Sequence, residues 1–264
     1  MMRLILFLAG MLMVNQIYAA DFDHGIWDKL LRNHVVVLDD GKATQVDYGG
    51  FSNERSRLKL YLNQLAAVEA TQFEKWPAEA QLAFLINAYN AWTVELILTA
   101  YPDLESIRDL GSVLRSPWKK TFIPLLGEEV SLDHIEHDMI RGSGRFEEPR
   151  IHFAVNCASV GCPALRAEAY SAERLNEQLE QQTRLFLADA SRNRLETGRL
   201  AVSQIFKWYR EDFEQGWRGR ESLASFLAIY ADALDLSAAQ QAALQTGALE
   251  IEFLDYDWRL NDKS

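Results

Sequence analysis

The sequence predicts an α+β fold: a single, mostly helical domain with a central buried helix and short antiparallel hairpins. Three observations predict it. Segments with helical spacing of apolar residues dominate, strand-like segments are short and paired across turn residues, and one long segment is apolar on every side. Helices around small antiparallel sheets are typical of the α+β class. No linker rich in Pro, Gly or Ser is present, so residues 21–264 are expected to form one domain.

The N-terminus has the pattern of a secretory signal peptide over residues 1–20. Arg3 precedes an apolar run over residues 4–14, and small residues follow, with cleavage expected after Ala19 or Ala20. The run is shorter than the roughly 20 residues that span a bilayer, although an uncleaved anchor helix is the alternative. We therefore expect a periplasmic or secreted protein that is not an integral membrane protein after cleavage.

Composition excludes several classes of function. The formal net charge of −11 opposes binding to phosphate backbones, so we expect no nucleic-acid partner. The chain has no phosphate-binding loop, no dinucleotide fingerprint and no Gly-x-Ser-x-Gly elbow, and we predict no cofactor. Hydrophobic residues make up 48% of the chain, which is enough for a substantial core.

The central helix is predicted over residues 77–100. Its apolar residues surround nearly the whole circumference, which indicates burial in the core. Pro77 suits the first helical position, and Pro102 ends the helix. Asn87 and Asn90 are then buried polar groups that need partners, because each unpaired group costs about 1–3 kcal/mol.

Local patterns predict the remaining elements. Helices are expected over residues 25–34, 52–68, 131–140, 171–190, 204–213, 221–230 and 237–244. Hairpins are expected over residues 35–48, 121–132 and 195–203, and single strands over 150–155 and 249–254.

Candidate chemistry is concentrated in residues 152–163. On a strand, His152 and Asn156 would share one face, with Cys157 just beyond the strand end. Pro163 would begin a short helix with Cys162 at its N-terminal cap, where the pKa of a thiol is lowered.

Three interpretations of the two cysteines remain open. They form a disulfide, which is worth on the order of 2 kcal/mol in so short a loop and suits an exported protein. Alternatively, one is a nucleophile activated by a His, with an Asn or an acid orienting the ring. In the third interpretation they are buried thiols or metal ligands, but a gap of four residues does not match common zinc spacings, so we predict no metal site. A disulfide would remove the thiol that the second interpretation needs.

Residues 131–138 carry a second group of titratable side chains. On a helix, Asp133, Glu136 and His137 share one face, and His134 and Asp138 share another. Either they form a solvated helix face, or a His or Glu of this helix faces the cysteine loop as a base or a ligand. Segments 208–213 and 255–258 mix aromatic and acidic residues, which is typical of core packing or of a groove for a glycan or peptide.

These motifs resemble the domain of unknown function 547 family. The matching segments span residues 84–91, 131–136, 149–159, 161–163, 206–209 with 212–213, and 256–258 with 260–261. The family is uncharacterised, so the resemblance implies little about activity. In some relatives a similar domain is joined to glutaredoxin or other modules, which favours thiol chemistry or a partner role without deciding between them.

Two functions are therefore predicted. The first is a cysteine-dependent hydrolase or transferase acting on an amide or ester. The second is a non-enzymatic cell-envelope binding module with a structural disulfide, whose partner is a peptide, glycan or envelope protein. The candidate catalytic residues are Cys157, His152, His134, Glu136, Asn87 and Cys162. The candidate substrate-binding residues are Asn90, Asn156, Ser159, Trp208 and Asp212.

Overall fold

The computed structural model describes residues 22–112 and 115–263. The signal peptide predicted over residues 1–20 lies outside them. The described residues form a mostly helical α+β fold in a single domain, as the sequence predicts. The helices are α1 (Gly25–His34), α2 (Tyr48–Asn53), α3 (Arg55–Ala66), α4 (Ala70–Phe73), α5 (Ala78–Leu98), α6 (Leu132–His134), α7 (Leu175–Leu187), α8 (Ile205–Trp208), α9 (Arg210–Glu214), α10 (Leu223–Ile229) and α11 (Ala238–Gln245).

The prediction of a central helix is confirmed by α5. Every residue from Ala80 to Leu98 is buried, so the helix is enclosed on all sides. Its polar groups are paired, as burial requires: Glu95 accepts from Arg55 at 2.7 Å, and the Thr93 hydroxyl donates to the Tyr89 carbonyl at 2.8 Å. Pro77 lies at the N-cap, one residue before the predicted position.

The strands are short, and most pair in hairpins. They are β1 (Val35–Leu38), β2 (Ala43–Val46), β3 (Ile123–Leu125), β4 (Glu128–Val130), β5 (Arg194–Glu196), β6 (Arg199–Val202) and β7 (Glu250–Phe253). The three predicted hairpins β1–β2, β3–β4 and β5–β6 are antiparallel. The closing strand β7 differs, because it adds to β6 in parallel.

The predicted strand over residues 150–155 is wrong. Pro149–Phe153 instead forms a short 3-10 helix. Pro149 occupies its first turn, where the missing N–H costs nothing, and the Glu148 carboxylate accepts from the Arg150 N–H at 3.1 Å. The expectation that His152 and Asn156 share one face of a strand is therefore wrong as well.

Two hydrophobic clusters meet at this 3-10 helix. One surrounds α5 and includes Ile151 and Ala154, whereas the other is built on β6 and α8 to α10 and includes Phe153. Residues 149–158 therefore lie between the clusters. Over residues 22–112 and 115–263, no helix combines the length and apolarity needed to cross a membrane.

Candidate functional site

A partly open pocket of about 260 Å³ lies where the two clusters meet. We call it the cysteine pocket, because Cys157 and Cys162 both line it. Aromatic lining residues come from distant parts of the chain: Trp118, Trp208, Tyr209, Tyr256 and Trp258. The titratable lining residues include Asp133, Glu136, His137 and His152.

Cys157 and Cys162 are joined by a disulfide, with their Cα atoms 6.1 Å apart. This is the first of the three interpretations open from the sequence. Cys157 is partly exposed, whereas Cys162 is buried. No thiol remains among the described residues. The prediction of a cysteine nucleophile therefore applies to a reduced state, and for that state it stays a prediction.

The Asn156 side chain holds the loop that carries the disulfide. Its amide nitrogen donates to the Pro163 carbonyl at 2.8 Å, and its oxygen accepts from the Ala158 N–H at 2.9 Å. Both groups are thus committed to the backbone. The residues after Cys162 form no helix, so the predicted N-terminal cap at Cys162 is wrong.

The same loop is fastened to the C-terminal segment. The Gly161 N–H donates to the Asp257 carbonyl at 2.9 Å, and the Val160 N–H donates to the Arg259 carbonyl at 2.8 Å. A Cβ atom on Gly161 would lie 3.0 Å from the backbone nitrogen and oxygen of Asp257. The close approach of the two backbones therefore favours glycine at this position.

Hydrogen-bond donors surround the two sulfurs. The Cys157 N–H donates to the Cys162 Sγ at 2.8 Å. The Tyr256 hydroxyl lies 3.1 Å from the Cys157 Sγ and 3.2 Å from the Cys162 Sγ. The Ser159 hydroxyl lies 3.2 Å from both the Cys157 Sγ and the Tyr256 hydroxyl. Burial raises the pKa of Tyr256, so its hydroxyl keeps the proton that it donates.

His152 is held by an acid from α9. Its Nε2 lies 2.7 Å from the Asp212 Oδ2, and its ring stacks on Tyr209 with centroids 3.9 Å apart. Burial lowers the pKa of His152 more than the neighbouring carboxylates raise it. Asp212 is itself partly buried, but hydrogen bonds and charge from His152 and Arg141 outweigh that burial and hold its pKa well below its usual range.

This pairing determines the tautomer of His152. A carboxylate accepts only, so the Nε2 atom carries the proton and the Nδ1 atom of the neutral ring has a lone pair. The Nδ1 atom is buried and has no hydrogen-bond partner within the described residues. His152, which lines the pocket, thus has one ring nitrogen without a hydrogen-bond partner in the described residues.

The helix after Ser131 supplies the other polar lining residues. Ser131 caps it, as predicted, by accepting from the His134 N–H at 3.1 Å. Beyond α6 it continues as a π-helix over Ile135–Arg141. The predicted faces are kept: Asp133, Glu136 and His137 line the pocket, whereas His134 pairs with Asp138 at 2.8 Å away from it. His134, a candidate base, is therefore not part of the pocket lining.

The carboxylate of Glu136 is buried beside two tyrosines. Burial and the Glu136 charge raise the pKa of both Tyr89 and Tyr209, so each hydroxyl stays protonated beside the carboxylate. The Arg141 guanidinium donates to Asp212 at 2.9 Å and contacts the His137 Nδ1 at 2.6 Å.

The two asparagines of α5 connect the core and do not line the pocket. The Asn87 amide donates to the Tyr170 carbonyl at 2.8 Å and accepts from its N–H at 3.0 Å. The Asn90 amide donates to the Ala154 carbonyl at 2.9 Å and accepts from the Asn156 N–H at 2.8 Å. Asn90 thus connects α5 to the backbone that leads into the cysteine loop.

Several pocket residues escaped sequence reasoning. Tyr256 and Trp258 belong to a segment noted as aromatic and acidic and as part of the family resemblance, but nothing in the sequence predicted that they lie beside the cysteines. Trp118 also lines the pocket, and the sequence gave no indication of it. In residues 22–112 and 115–263, no group of three or more His, Cys, Asp or Glu side chains is arranged to hold a metal ion.

The fold and the pocket define an α+β protein with a disulfide at the edge of a polar and aromatic pocket. Residues 73–187 match the family model described as Protein of unknown function, DUF547, which confirms the resemblance drawn from the motifs. The match spans α5, the helix after Ser131 and the cysteine loop, but not Trp208, Asp212 or Tyr256. No curated protein and no solved structure matches the chain.

Proposed function

We propose that the protein carries out thiol–disulfide exchange, in which a substrate thiol opens the Cys157–Cys162 disulfide. The observation that carries this proposal is the set of donors around the sulfurs: the Cys157 N–H and the hydroxyls of Tyr256 and Ser159. A disulfide sulfur is a weak acceptor, so these donors gain little in the oxidised state. A thiolate is a charged acceptor, and hydrogen bonds to ionised groups are about twice as strong. The site is therefore more complementary to a thiolate than to the disulfide.

The two sulfurs have different roles in the proposed step. Cys157 is the partly exposed one, so the substrate thiolate attacks its Sγ and forms a mixed disulfide. The Cys157–Cys162 bond breaks, and its electron pair leaves on the buried Cys162 Sγ, which the Cys157 N–H faces at 2.8 Å. A leaving thiol with a lowered pKa departs faster. A second substrate thiolate then attacks the substrate sulfur, so that a substrate disulfide is released and both cysteines are reduced.

His152 supplies the base in this proposal. Its Nδ1 lone pair takes the proton of the incoming thiol, and Asp212 stabilises the resulting imidazolium. For turnover, a second disulfide, in a small molecule or another protein, must take the two electrons. An exported location, as predicted from residues 1–20, would supply an oxidising compartment.

Single-cysteine variants test the proposal. Cys162→Ser leaves the exposed sulfur, and we expect it to form a mixed disulfide with a chromogenic aromatic disulfide about tenfold or more faster than Cys157→Ser, which leaves the buried one. The wild-type disulfide should be opened by a small excess of monothiol, with the mixed disulfide at Cys157 identified by mass spectrometry. Equal rates for the two variants, or a disulfide that opens only after unfolding, would refute the exchange function.

The predicted cysteine hydrolase or transferase is a second candidate, favoured by the His152–Asp212 pair. It requires a reduced Cys157 thiolate that attacks a carbonyl carbon and expels the leaving group. Incubating the reduced protein with activated esters and amides tests it, because an acyl group should add to Cys157. An unmodified Cys157 in reduced, folded protein argues against this candidate.

The predicted envelope binding module is the third candidate, with the disulfide as a staple and the aromatic lining residues as the binding surface for a peptide or glycan. Replacing both cysteines with Ser separates it from the other two. A double variant that stays folded and keeps its biological effect supports the module, whereas a folded but inert one supports thiol chemistry.

A further inference from the structure

We infer that the thiol exchanged at the cysteine pocket belongs to a cationic molecule, one whose ammonium or guanidinium group lies close to its sulfur. This inference rests on the proposed exchange function and names the substrate class of the same site.

The charged groups at the pocket are mostly acidic. Asp133 and Glu136 line it, and Asp212 lies behind His152. No lysine or arginine is among the described residues that line it. The Arg141 guanidinium donates to both Asp212 oxygens and contacts His137, so its charge is already paired. The Arg108 guanidinium also lies near the pocket, 5.2 Å from the Trp258 ring centroid, whereas Arg192 near Tyr256 is paired with Asp189 at 2.6 Å. Three carboxylates against the two guanidiniums of Arg141 and Arg108 leave a net negative charge that attracts cations.

The polar atoms of the pocket are suited to a ligand that donates hydrogen bonds. The buried Nδ1 atom of His152 accepts and has no partner within the described residues. The hydroxyls of Tyr89 and Tyr209 face Glu136, which leaves that carboxylate as an acceptor held in place by two donors. An ammonium group supplies three donors and a positive charge, whereas a carboxylate would face like charges.

The aromatic residues of the pocket also suit a cation. The Arg108 guanidinium lies 5.2 Å from the Trp258 ring centroid, and the Arg141 guanidinium lies 5.0 Å from that of Tyr209. Trp208 stacks beside Trp258 with centroids 5.7 Å apart, yet 45% of its surface is exposed. Trp208 therefore presents an open indole face, and indole is the most favourable ring for a cation.

The test compares three small thiols of similar size: cysteamine, 2-mercaptoethanol and 3-mercaptopropionate. Each opens the wild-type disulfide in a single turnover at equal thiolate concentration, followed by acid quench, alkylation and mass spectrometry. Each rate is divided by the rate of the same thiol on bis(2-hydroxyethyl) disulfide, which removes differences in intrinsic nucleophilicity. We expect cysteamine to exceed 3-mercaptopropionate by about tenfold or more at low salt, with the difference shrinking as salt is added.

Variants that remove single carboxylates test whether the pocket causes the preference for the cationic thiol. Asp133→Asn and Glu136→Gln should each reduce the ratio of cysteamine to 3-mercaptopropionate rates severalfold. Asp138→Asn is the matched control, because Asp138 belongs to the same helix but pairs with His134 outside the pocket. If Glu136→Gln does not fold, Asp133→Asn at the pocket surface still gives the answer.

Two sets of short peptides test whether the cationic thiol belongs to a polypeptide or to a small molecule. Short peptides with Cys between two Lys residues are compared with peptides that have Glu at those positions. A preference for Lys peptides equal to that for cysteamine supports a basic polypeptide, and a preference confined to cysteamine supports a small aminothiol.

Equal normalised rates for all three small thiols would overturn the inference and leave the exchange function intact. Failure of every thiol to open the disulfide in folded protein would overturn the exchange function itself.

Discussion

His152 and Asp212 are 60 residues apart in sequence, and their side chains meet at 2.7 Å between Nε2 and Oδ2. His152 comes from the 3-10 helix between the two hydrophobic clusters, and Asp212 comes from α9 in the second cluster. Asp212 was expected to bind substrate, but it holds the histidine that lines the pocket. The proposed base is thus assembled across the boundary between the clusters.

Asp212→Asn tests the role of this pair. An amide can donate to the ring, so Nε2 would become the acceptor and the Nδ1 lone pair would be lost. We expect the thiol–disulfide exchange rate to fall by about 10- to 100-fold. Asp212→Glu should recover part of the rate, and Asp138→Asn should not change it. A wild-type rate in folded Asp212→Asn would remove His152 from the proposed step.

Tyr256→Phe removes one of the donors around the sulfurs. Hydrogen bonds to charged groups contribute about 1.5–3 kcal/mol, so the variant should raise the pKa of a reduced pocket thiol by about one unit or more. A pH titration of the ultraviolet thiolate absorbance of the reduced protein measures it. Tyr170→Phe is the control, because the Tyr170 hydroxyl is buried without a hydrogen-bond partner in the described residues and lies outside the pocket. Identical titrations for the two variants would contradict the thiolate interpretation.

Asn90→Ala should destabilise the fold by about 2–4 kcal/mol, because it leaves the Ala154 carbonyl and the Asn156 N–H buried without their partner. Urea unfolding measures the change in the free energy of unfolding. Asn63→Ala, at an exposed position of α3, is the control and should change it by less than about 0.5 kcal/mol. The reverse order of effects would be inconsistent with Asn90 as a buried connection between α5 and the cysteine loop.

His24 makes stability depend on pH. Burial lowers its pKa from 6.5 to about 4, with Asp23 opposing the shift. Between these values the unfolded chain binds a proton that the folded protein does not, so stability rises with pH. The free energy of unfolding is therefore highest above about pH 6.5, and it falls by about 3 kcal/mol as the pH drops to 4.

The His24→Gln variant isolates this contribution. Although the lost contact with Tyr61 lowers its stability at every pH, the difference from wild type should narrow by about 3 kcal/mol from pH 7 to pH 4. Urea unfolding at several pH values measures both curves. If the free energies of unfolding of wild type and variant differ by the same amount at every pH, His24 is not the titrating group.

Local sequence patterns predicted most of the helices and hairpins. Ser237 begins α11 with the predicted capping box, in which its hydroxyl accepts from the Gln240 N–H. The β3–β4 hairpin turns at Gly127, whose φ of 85° suits glycine. These features depend on residues close together in the chain, which is why sequence reasoning finds them. The error at residues 150–155 arose because a short apolar run does not distinguish a strand from a turn of helix.

By itself, the sequence determined the fold class, the central helix α5 and the segment that carries both cysteines and His152. Only the tertiary structure decided that the cysteines are bonded, that Tyr256 faces both sulfurs, that Asp212 holds His152, and that β7 joins β6 in parallel. The reason is physical: caps, turns and apolar periodicity act within a few residues, whereas the contacts of Tyr256, Asp212 and β7 form only when distant segments pack together. Cys157 and Cys162 are close in sequence, but whether they bond depends on the conformation of the loop between them.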